Sequence, residues 1–368
     1  MTILEELEMV AVERCINEVR SGRPVVVVQG DAASVIAAAE NIHIGLFKRL
    51  REVASGPVRL AMAAARLRHL GFEAAGTSSI VLADTNFSRI DELITSETVE
   101  ITEELSRPTA LELASLDLIR FAFLLPAVVS IPIASKDQNS LAELCRVEAI
   151  AIETYRAKKS SHLKIIAETP VPLEVAGDCR FVVFRGGEGM RDQIAVVIGR
   201  PDLSLPVPVR LHSACLTGDL FSSLKCDCGD QLRGSLKFMA ENGGGVILYL
   251  DQEGRGNGIA NKLRAYGLQW QGHDTFEADE ILGFDIDQRR FEFAASMLRQ
   301  LGLKTVKLLT NNPAKIAALQ QAGLTVVSSQ RLNGRLNIHN REYLASKRNR
   351  AGHLIGNEIL GSKINEQD

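Results

Sequence analysis

Three cysteines near the middle of the chain carry the clearest chemistry. Cys215, Cys226 and Cys228 stand at C-x10-C-x-C spacing, inside Cys215-Leu-Thr-Gly-Asp219 and Lys225-Cys-Asp-Cys-Gly-Asp-Gln231. The C-x-C pair cannot close a relaxed disulfide on itself, because bridge geometry is demanding. Two thiolates so close, with a third returning from a short loop, suit a soft ion such as Zn²⁺. Three protein ligands leave one position for water, which is the pattern of a catalytic metal. Two other readings stay open at this level: ordinary buried thiols, and a closed structural zinc completed by a fourth ligand such as Cys179 or His212.

Four more segments place polar residues where strands end or helices begin, the usual position of ligand sites in α/β folds. Asp251-Gln-Glu-Gly-Arg255-Gly-Asn-Gly258 follows an apolar run; its glycines allow close approach, Arg255 can grip phosphate bidentately and Glu253 can accept from a guanine-type N–H edge. Asp285-Ile-Asp287-Gln-Arg289-Arg290 precedes an amphipathic run with Phe291, Ala294, Ala295, Leu298 and Leu301 on one face. An Asp there reads as a cap, but adjacent arginines at a helix N-terminus oppose the dipole and call for an anion. Thr310-Asn-Asn-Pro313-Ala-Lys315 combines a Thr hydroxyl, a Lys and Pro at a first helical position, a phosphate-binding arrangement or a well-capped helix. Asn261-Lys-Leu-Arg-Ala-Tyr266 and His273-Asp-Thr275 follow; their cations read equally as a solvated face, and Tyr266 as packing. Together these segments describe a zinc enzyme acting on a nucleotide.

The surrounding chain must position them. Its 368 residues correspond to about two domains at roughly 100–200 residues each. A hydrophobic fraction of 46%, a charged fraction of 24% and a net charge of -3 are those of an ordinary globular protein and argue against a nucleic-acid surface. The remaining cysteines, Cys15, Cys145 and Cys179, are scattered, as in a reducing compartment. The acidic start Met1-Thr-Ile-Leu-Glu-Glu is no signal peptide. The apolar run Leu118 to Ala134 contains Arg120, Pro126 and Pro132 and reads as a buried segment rather than a membrane span of about 20 residues. A cytoplasmic protein without membrane contact is expected.

Periodicity predicts helices over Val10 to Arg20, Ala32 to Leu50, Val58 to Leu70, Arg107 to Arg120 and Leu141 to Lys158, with strands at Pro24 to Val28 and Ser79 to Ala83. That alternation describes an α/β domain over 1–157, with Ala157-Lys-Lys-Ser-Ser161 as a linker. A second domain, 165–368, follows. Strands are expected at Arg180 to Phe184, Gln193 to Ile198, Val207 to His212, Val246 to Leu250 and Thr305 to Leu309, and helices at Gln231 to Asn242 and from Pro313 to Gly323. The fold class is mixed α/β (α+β) in two domains.

The string Arg210-Leu-His-Ser-Ala-Cys215-Leu-Thr-Gly-Asp, Lys225-Cys-Asp-Cys-Gly-Asp-Gln231, Gln252-Glu-Gly-Arg255, Asn261-Lys-Leu-Arg-Ala-Tyr266, Asp274-Thr275 and Leu309-Thr-Asn-Asn-Pro313 resembles GTP cyclohydrolase II, from about Leu173 to Leu354. The resemblance implies that GTP is opened at its imidazole ring with loss of formate and pyrophosphate, the first step of riboflavin synthesis. It implies zinc on Cys215, Cys226 and Cys228, which would activate water toward C8 of guanine. GTP would be surrounded by Arg210, Leu211, His212, Ser213, Ala214, Gln231, Glu253, Gly254, Arg255, Thr275, Thr310 and Lys315, with Mg²⁺ accompanying the triphosphate. Asp287 would be the proton acceptor, Tyr266 would orient the ring-opened intermediate, and Arg289 would act on the α-phosphorus. A guanidinium stays protonated below a pKa of about 12, so Arg289 fits a charge clamp as well as a nucleophile. A homodimer is implied.

Two departures stand out: Ala214 occupies a position where the family commonly has Glu, and Arg290 stands where an acidic residue is common. Ala214 leaves open a variant that opens the ring but keeps its phosphates, and a non-catalytic nucleotide-binding regulator remains a third reading.

The N-terminal half is similar to dihydroxybutanone-phosphate synthase at Ser21-Gly-Arg-Pro-Val-Val-Val-Val28 and Ala37-Ala-Ala-Glu40. The acidic metal-binding stretch expected between them is replaced by Gln29-Gly-Asp-Ala-Ala-Ser-Val35, and no Gly-His-Thr-Glu motif occurs. Without clustered carboxylates there is no Mg²⁺ site for a sugar-phosphate enediolate, so this half is expected to be inactive.

Overall fold

A computed structural model describes residues 2–82, 87–134, 141–186, 192–285, 289 and 291–354. It comprises two compact units: Met1–Ala157 with Ala260–His273 and Glu277–Gln288, and Lys158–Ile259 with Asp274–Phe276 and Arg289–Asp368.

In the first unit the strands are β1 (Val25–Gln29), β2 (Ala32–Ala38), β3 (Arg59–Met62), β4 (Ser78–Val81), β5 (Leu105–Ser106), β6 (Ala127–Ile133) and β7 (Arg146–Glu148). Among the described residues they form one sheet in the order β5-β4-β3-β6-β2-β1-β7. It is antiparallel except for the β1–β7 pair. Helices α1 (Ile3–Arg20), α5 (Ala110–Phe121) and α6 (Ala149–Ser161) supply one core layer, and α2 (Ile44–Glu52), α3 (Ala64–His69) and α4 (Ser88–Thr95) the other. The Val25–Val28 run feeds both: Val25 and Val27 join the first layer, Val26 and Val28 the second. α9 (Gly258–Trp270) and α10 (Thr275–Ile281) also contribute here. Ala265, Ala278, Leu282 and Phe284 pack with Leu125, and buried Arg66 donates to the carbonyls of Leu93 at 2.8 Å and Ile281 at 2.7 Å, closing two helix ends.

Several expected helices prove to begin as strands. Ala32–Ala38 is β2 and only Ile44–Glu52 is helical. The turn Gly30-Asp31, with Gly30 at φ +57°, folds this segment back onto β1 in the register Val25↔Ile36 to Gln29↔Ala32. Pairing and burial on both faces outweigh the helix preference of its alanines. Val58 to Leu70 divides likewise into β3 and the short α3, because Leu60 and Met62 face one core layer and Ala61 the other. Leu141 to Lys158 begins with β7, in parallel register with β1, before α6 starts at Ala149. The stretch read as a linker, Ala157 to Ser161, is the last turn of α6, where its lysines suit the negative end of the helix dipole.

The second unit contains β8 (Lys164–Pro170), β9 (Cys179–Arg185), β10 (Gln193–Ile198), β11 (Val207–Ser213), β12 (Gly245–Leu250), β13 (Thr305–Leu309) and β14 (Thr325–Gln330). The order among the described residues is β14-β13-β11-β12-β10-β9-β8. The β14–β12 half is parallel and the β12–β8 half antiparallel. Its helices are α7 (Leu216–Asp219), α8 (Cys228–Glu241), α11 (Glu292–Gln300), α12 (Pro313–Gln321) and α13 (Arg341–Ala351). β9 to β13 fall on the runs that the sequence marks, each an apolar β-branched run bounded by Gly, Pro or polar residues, whereas β8 and β14 lie where the sequence reading places no strand, because they are exposed along most of their length and carry no buried pattern. Among the described residues no helix is long and apolar enough to cross a membrane.

Candidate metal centre and nucleotide site

The carboxyl ends of parallel strands β11, β12 and β13 lie side by side, and the loops that leave them carry the residues singled out by sequence. β11 delivers Arg210, Leu211, His212 and Ser213 and runs on through Ala214 to Cys215. After α7 the chain returns with Cys226, and Cys228 opens α8. Among the described residues, Cys215, Cys226 and Cys228 form the cluster of His, Cys, Asp or Glu able to hold a metal, their sulfurs within 4.8 Å of one another.

The spacing fits a zinc ion. Sulfurs at about 2.3 Å from a tetrahedral zinc lie about 3.8 Å apart; Cys215 and Cys226 Sγ are 3.7 Å apart. Without a metal the crowded thiols hold their protons. Cys226 is pushed up to about 11, first by its hydrogen bond with Cys215. Cys228 is also raised, first by Cys215 and then by Cys226. A dication reverses that preference, because thiolate is the form that ligates. The pocket behind the sulfurs is closed by Gly218: a Cβ there would stand 2.8 Å from Cys226 Sγ, 3.0 Å from Cys215 Sγ and 3.1 Å from Cys228 Cβ. Neither Cys179 nor His212 joins the sulfurs.

His212 is instead committed to Asp219, a residue that sequence reading left without a role. Its Nε2 donates to the Asp219 carboxylate at 3.1 Å, and its ring stacks on Tyr249 at 5.5 Å. Asp219 also accepts from the backbone N–H of Cys215 at 2.9 Å and the Tyr249 hydroxyl at 3.0 Å. It thereby fixes the first cysteine of the cluster, the tautomer of His212 and the turn of the short helix. Burial first, against the pull of Asp219, lowers the His212 pKa and keeps the ring neutral. Its Nδ1, the Ser213 Oγ and the Arg210 Nε are buried without a hydrogen-bond partner among the described residues. Three of the last four positions of β11 thus offer polar atoms to a ligand, since buried polar groups ordinarily find partners.

Cations converge on the same strand. Buried Arg210 donates to Leu309 O at 3.1 Å and to Gln231 Oε1, and its own pKa is lowered by burial, with Arg289 adding to the effect. Lys315 on α12 is buried, donates to Leu211 O at 2.6 Å, and lies 5.2 Å from the Phe291 ring centroid. Leu211 therefore contributes its carbonyl while its side chain lies in the core. Thr310 is buried after β13 and accepts from Asn312 N at 3.0 Å. Arg289 is half-buried ahead of α11, 5.7 Å from the Phe291 ring centroid.

After β12 the chain turns through Glu253–Gly256, with Gly254 and Arg255 both at φ +60°. Left-handed backbone is costly for an arginine, and the turn holds its guanidinium 4.8 Å from the Phe276 ring centroid. Glu253 accepts from Leu216 N and from Gly254 N, tying this turn to the residue after Cys215. Thr275 opens α10, beside Asp274, which accepts from Phe276 N at 2.7 Å and pairs with Arg350 at 2.6 Å. Gln231 on α8 bridges Arg210 and Asp227 and also donates to Leu332 O at 3.3 Å.

The second unit thus gathers the three cysteines with Arg210 to Ala214, Gln231, Glu253 to Arg255, Thr275, Arg289, Thr310 and Lys315. Tyr266 sits on α9 in the first unit, with Lys262 Nζ 5.6 Å from its ring centroid. Asp287 and Arg290 lie outside the described residues.

A sequence model of the GTP cyclohydrolase II family matches residues 164–331. The chain is 42% identical to the GTP cyclohydrolase-2 of Xylella fastidiosa strain Temecula1, over 95% of this chain and 88% of that protein. It is 38% identical to the GTP cyclohydrolase-2 of Azospirillum brasilense, over 96% of each. A crystal structure of RibBX, a two-domain 3,4-dihydroxy-2-butanone 4-phosphate synthase from A. baumannii, aligns with 88% of this chain and 99% of its own at 17% identity and a TM-score of 0.34.

Proposed function

Since the chain belongs to the GTP cyclohydrolase II family, we propose that it hydrolyses GTP to formate, pyrophosphate and 2,5-diamino-6-(5-phosphoribosylamino)pyrimidin-4(3H)-one, the first step of riboflavin biosynthesis. What carries the reading is the three-thiol cluster at the end of β11, beside buried cations and three unpartnered polar atoms. Cys215, Cys226 and Cys228 would hold zinc, which would supply Lewis acidity and a water of lowered pKa for hydrolysis at C8 of guanine.

The chain's own groups do the rest. Arg210, Lys315 and Arg289 provide positive charge for the triphosphate, which Mg²⁺ accompanies, and Thr310 with the start of α12 adds neutral donors. Arg289 acts as a charge clamp on the transferring phosphorus, because its guanidinium keeps its proton at neutral pH. Ser213 Oγ and neutral His212 Nδ1 address the substrate from the strand end. Glu253 and Gln231 hold the metal loop and Arg210 in place, with Gly254 and Arg255 shaping the far wall. Tyr266 and Asp287 keep the roles that the family likeness gives them, orienting the opened ring and accepting a proton. A homodimer, which sedimentation velocity measures directly, is the expected assembly.

The N-terminal half is inactive in its own right. That reading rests on the sequence, in which Gln29-Gly-Asp-Ala-Ala-Ser-Val35 stands where the synthase likeness calls for an acidic metal-binding stretch.

Incubation of zinc-loaded full-length protein with GTP and Mg²⁺, followed by mass spectrometry, tests the reading. Formate with pyrophosphate is the expected outcome. Formate without pyrophosphate indicates the phosphate-retaining variant that Ala214 suggests, and unchanged GTP a regulator. In parallel, ribulose 5-phosphate should give no butanone phosphate.

A further inference from the structure

The residue between the paired cysteines, Asp227, is buried, 3% exposed, and its surroundings come from the far end of the chain. Lys347 on α13 donates to its Oδ1 at 3.4 Å, and Gln231 Nε2 donates to its Oδ2 while accepting from Arg210. The segment leading to α13 is fastened over this loop. Asn311 donates to Leu332 O at 2.8 Å and accepts from Leu332 N at 3.0 Å. Arg335 N donates to Asp230 at 3.1 Å. Gly334 lies so close that a Cβ there would stand 2.6 Å from Asp227 Cβ. Half-buried Tyr343, on the same helix, holds its ring centroid 4.0 Å from Lys347 Nζ.

Building on the zinc-centred reading above, we propose that Lys347 is a positioning residue for the metal centre. Through Asp227 it fixes the Cys226-Asp227-Cys228 loop and supplies the counter-charge that lets a carboxylate sit beside two metal-binding thiolates. Residues after 331 lie beyond the family match, and neither Lys347 nor Tyr343 has a role in that reading. The cavity bounded by Asp227, Gln231, Asn311, Asn333, Lys347 and His353 measures about 10 Å³, the room of one water. A buried carboxylate that loses its cation is strongly disfavoured, and partners behind metal ligands set affinity by about 10–100-fold.

The test is zinc affinity, measured on the full-length protein by competition with a chromophoric chelator in the absence of GTP. Lys347→Met should weaken zinc binding by about 10–100-fold. Lys347→Arg, which restores the cation, should recover most of that loss. Adding Asp227→Asn to Lys347→Met should also recover part of it, because the uncompensated charge is gone. A helix that merely lost packing would show neither recovery, which separates positioning from general destabilisation. The proposal is overturned if Lys347→Met binds zinc as tightly as wild type, or if neither second change restores affinity. Turnover of GTP is scored separately. A wild type that binds zinc but leaves GTP intact removes the catalytic reading and leaves this one standing, whereas a wild type that binds no zinc removes both.

Discussion

Gly218→Ala isolates the metal centre from the rest of the fold. Gly218 lies in the helical turn α7, not at positive φ, so alanine there improves local helix propensity by about 0.8–1 kcal/mol. The same methyl would stand 2.8 Å from Cys226 Sγ and 3.0 Å from Cys215 Sγ, where ordinary contact begins at 3.4 Å. Both sulfurs, and the Cβ of Cys228 at 3.1 Å, must retreat by several tenths of an ångström. Metal–ligand distances tolerate about 0.2 Å, so the three sulfurs can no longer close on one small ion. The expected loss is about 100-fold in zinc affinity, the upper end of what disturbing the support of a metal site costs, or about 2.7 kcal/mol. Two assays read the two effects apart. Chelator competition should show the weakened zinc, with GTP turnover falling in step with metal occupancy. Urea unfolding of metal-stripped protein should show wild-type or slightly higher stability. If Gly218→Ala keeps wild-type zinc affinity, the cysteines do not form one metal centre and the reasoning built on their spacing fails.

Asp219→Asn should destabilise the protein by about 1–3 kcal/mol in urea unfolding, because with its amide oxygen kept on the Cys215 N–H and the Tyr249 hydroxyl, both bound to Oδ2, its N–H₂ would face the Nε2–H of His212. Away from the site, Glu103→Gln tests an ion pair of the first unit. The Arg89 hydrogen bond, at 2.6 Å, holds the Glu103 carboxyl below its ordinary value of 4.5. A lowered carboxylate stabilises the fold above the unfolded pKa and ceases to do so as pH falls through the lowered one. The wild-type advantage over Glu103→Gln, about 1–2 kcal/mol at pH 7, should hold down to about pH 5 and then shrink steadily in urea titrations toward pH 3.

How far the sequence foretold this molecule depends on how local each constraint is. The cysteine triad was legible because its members span fourteen positions, Cys215 to Cys228, and a loop that short leaves few arrangements for three thiols. Strands β9 to β13 were legible because each is bounded by breakers and buried as a simple apolar run. β2 and β3 were not, because Ala-rich segments satisfy a helical period as well as an alternating one, and only the β1–β2 turn and two-sided burial decide between them. Asp219 lies four residues after Cys215 and carried no sign that it would bind a histidine, a tyrosine and a backbone N–H together. Lys347 is 120 residues from Asp227 in sequence, a separation that no local pattern spans. The place of α9 and α10 in the first unit is of the same kind, set by Leu125 and Arg66 and not by anything within Gly258–Ile281.

Charge balance explains why the buried cations of the second unit are distributed as they are. Under the proposed zinc reading, three thiolates around a dication would leave one net negative charge, and Asp219 and Asp227, both nearly inaccessible, add one each. Arg210, Lys315 and Lys347 supply an equal positive charge from three different elements, β11, α12 and α13. His212, kept neutral by burial, adds nothing. The zinc-loaded centre would thus be close to neutral, and Arg289, at a half-buried position, lies outside that balance, in keeping with its proposed work on an anionic substrate. Removing the dication need not break the arrangement, since Cys226 and Cys228 then hold protons in its place. Metal and protons compete for the same sulfurs, and the surrounding lysines and arginine keep either occupant compatible with a buried site.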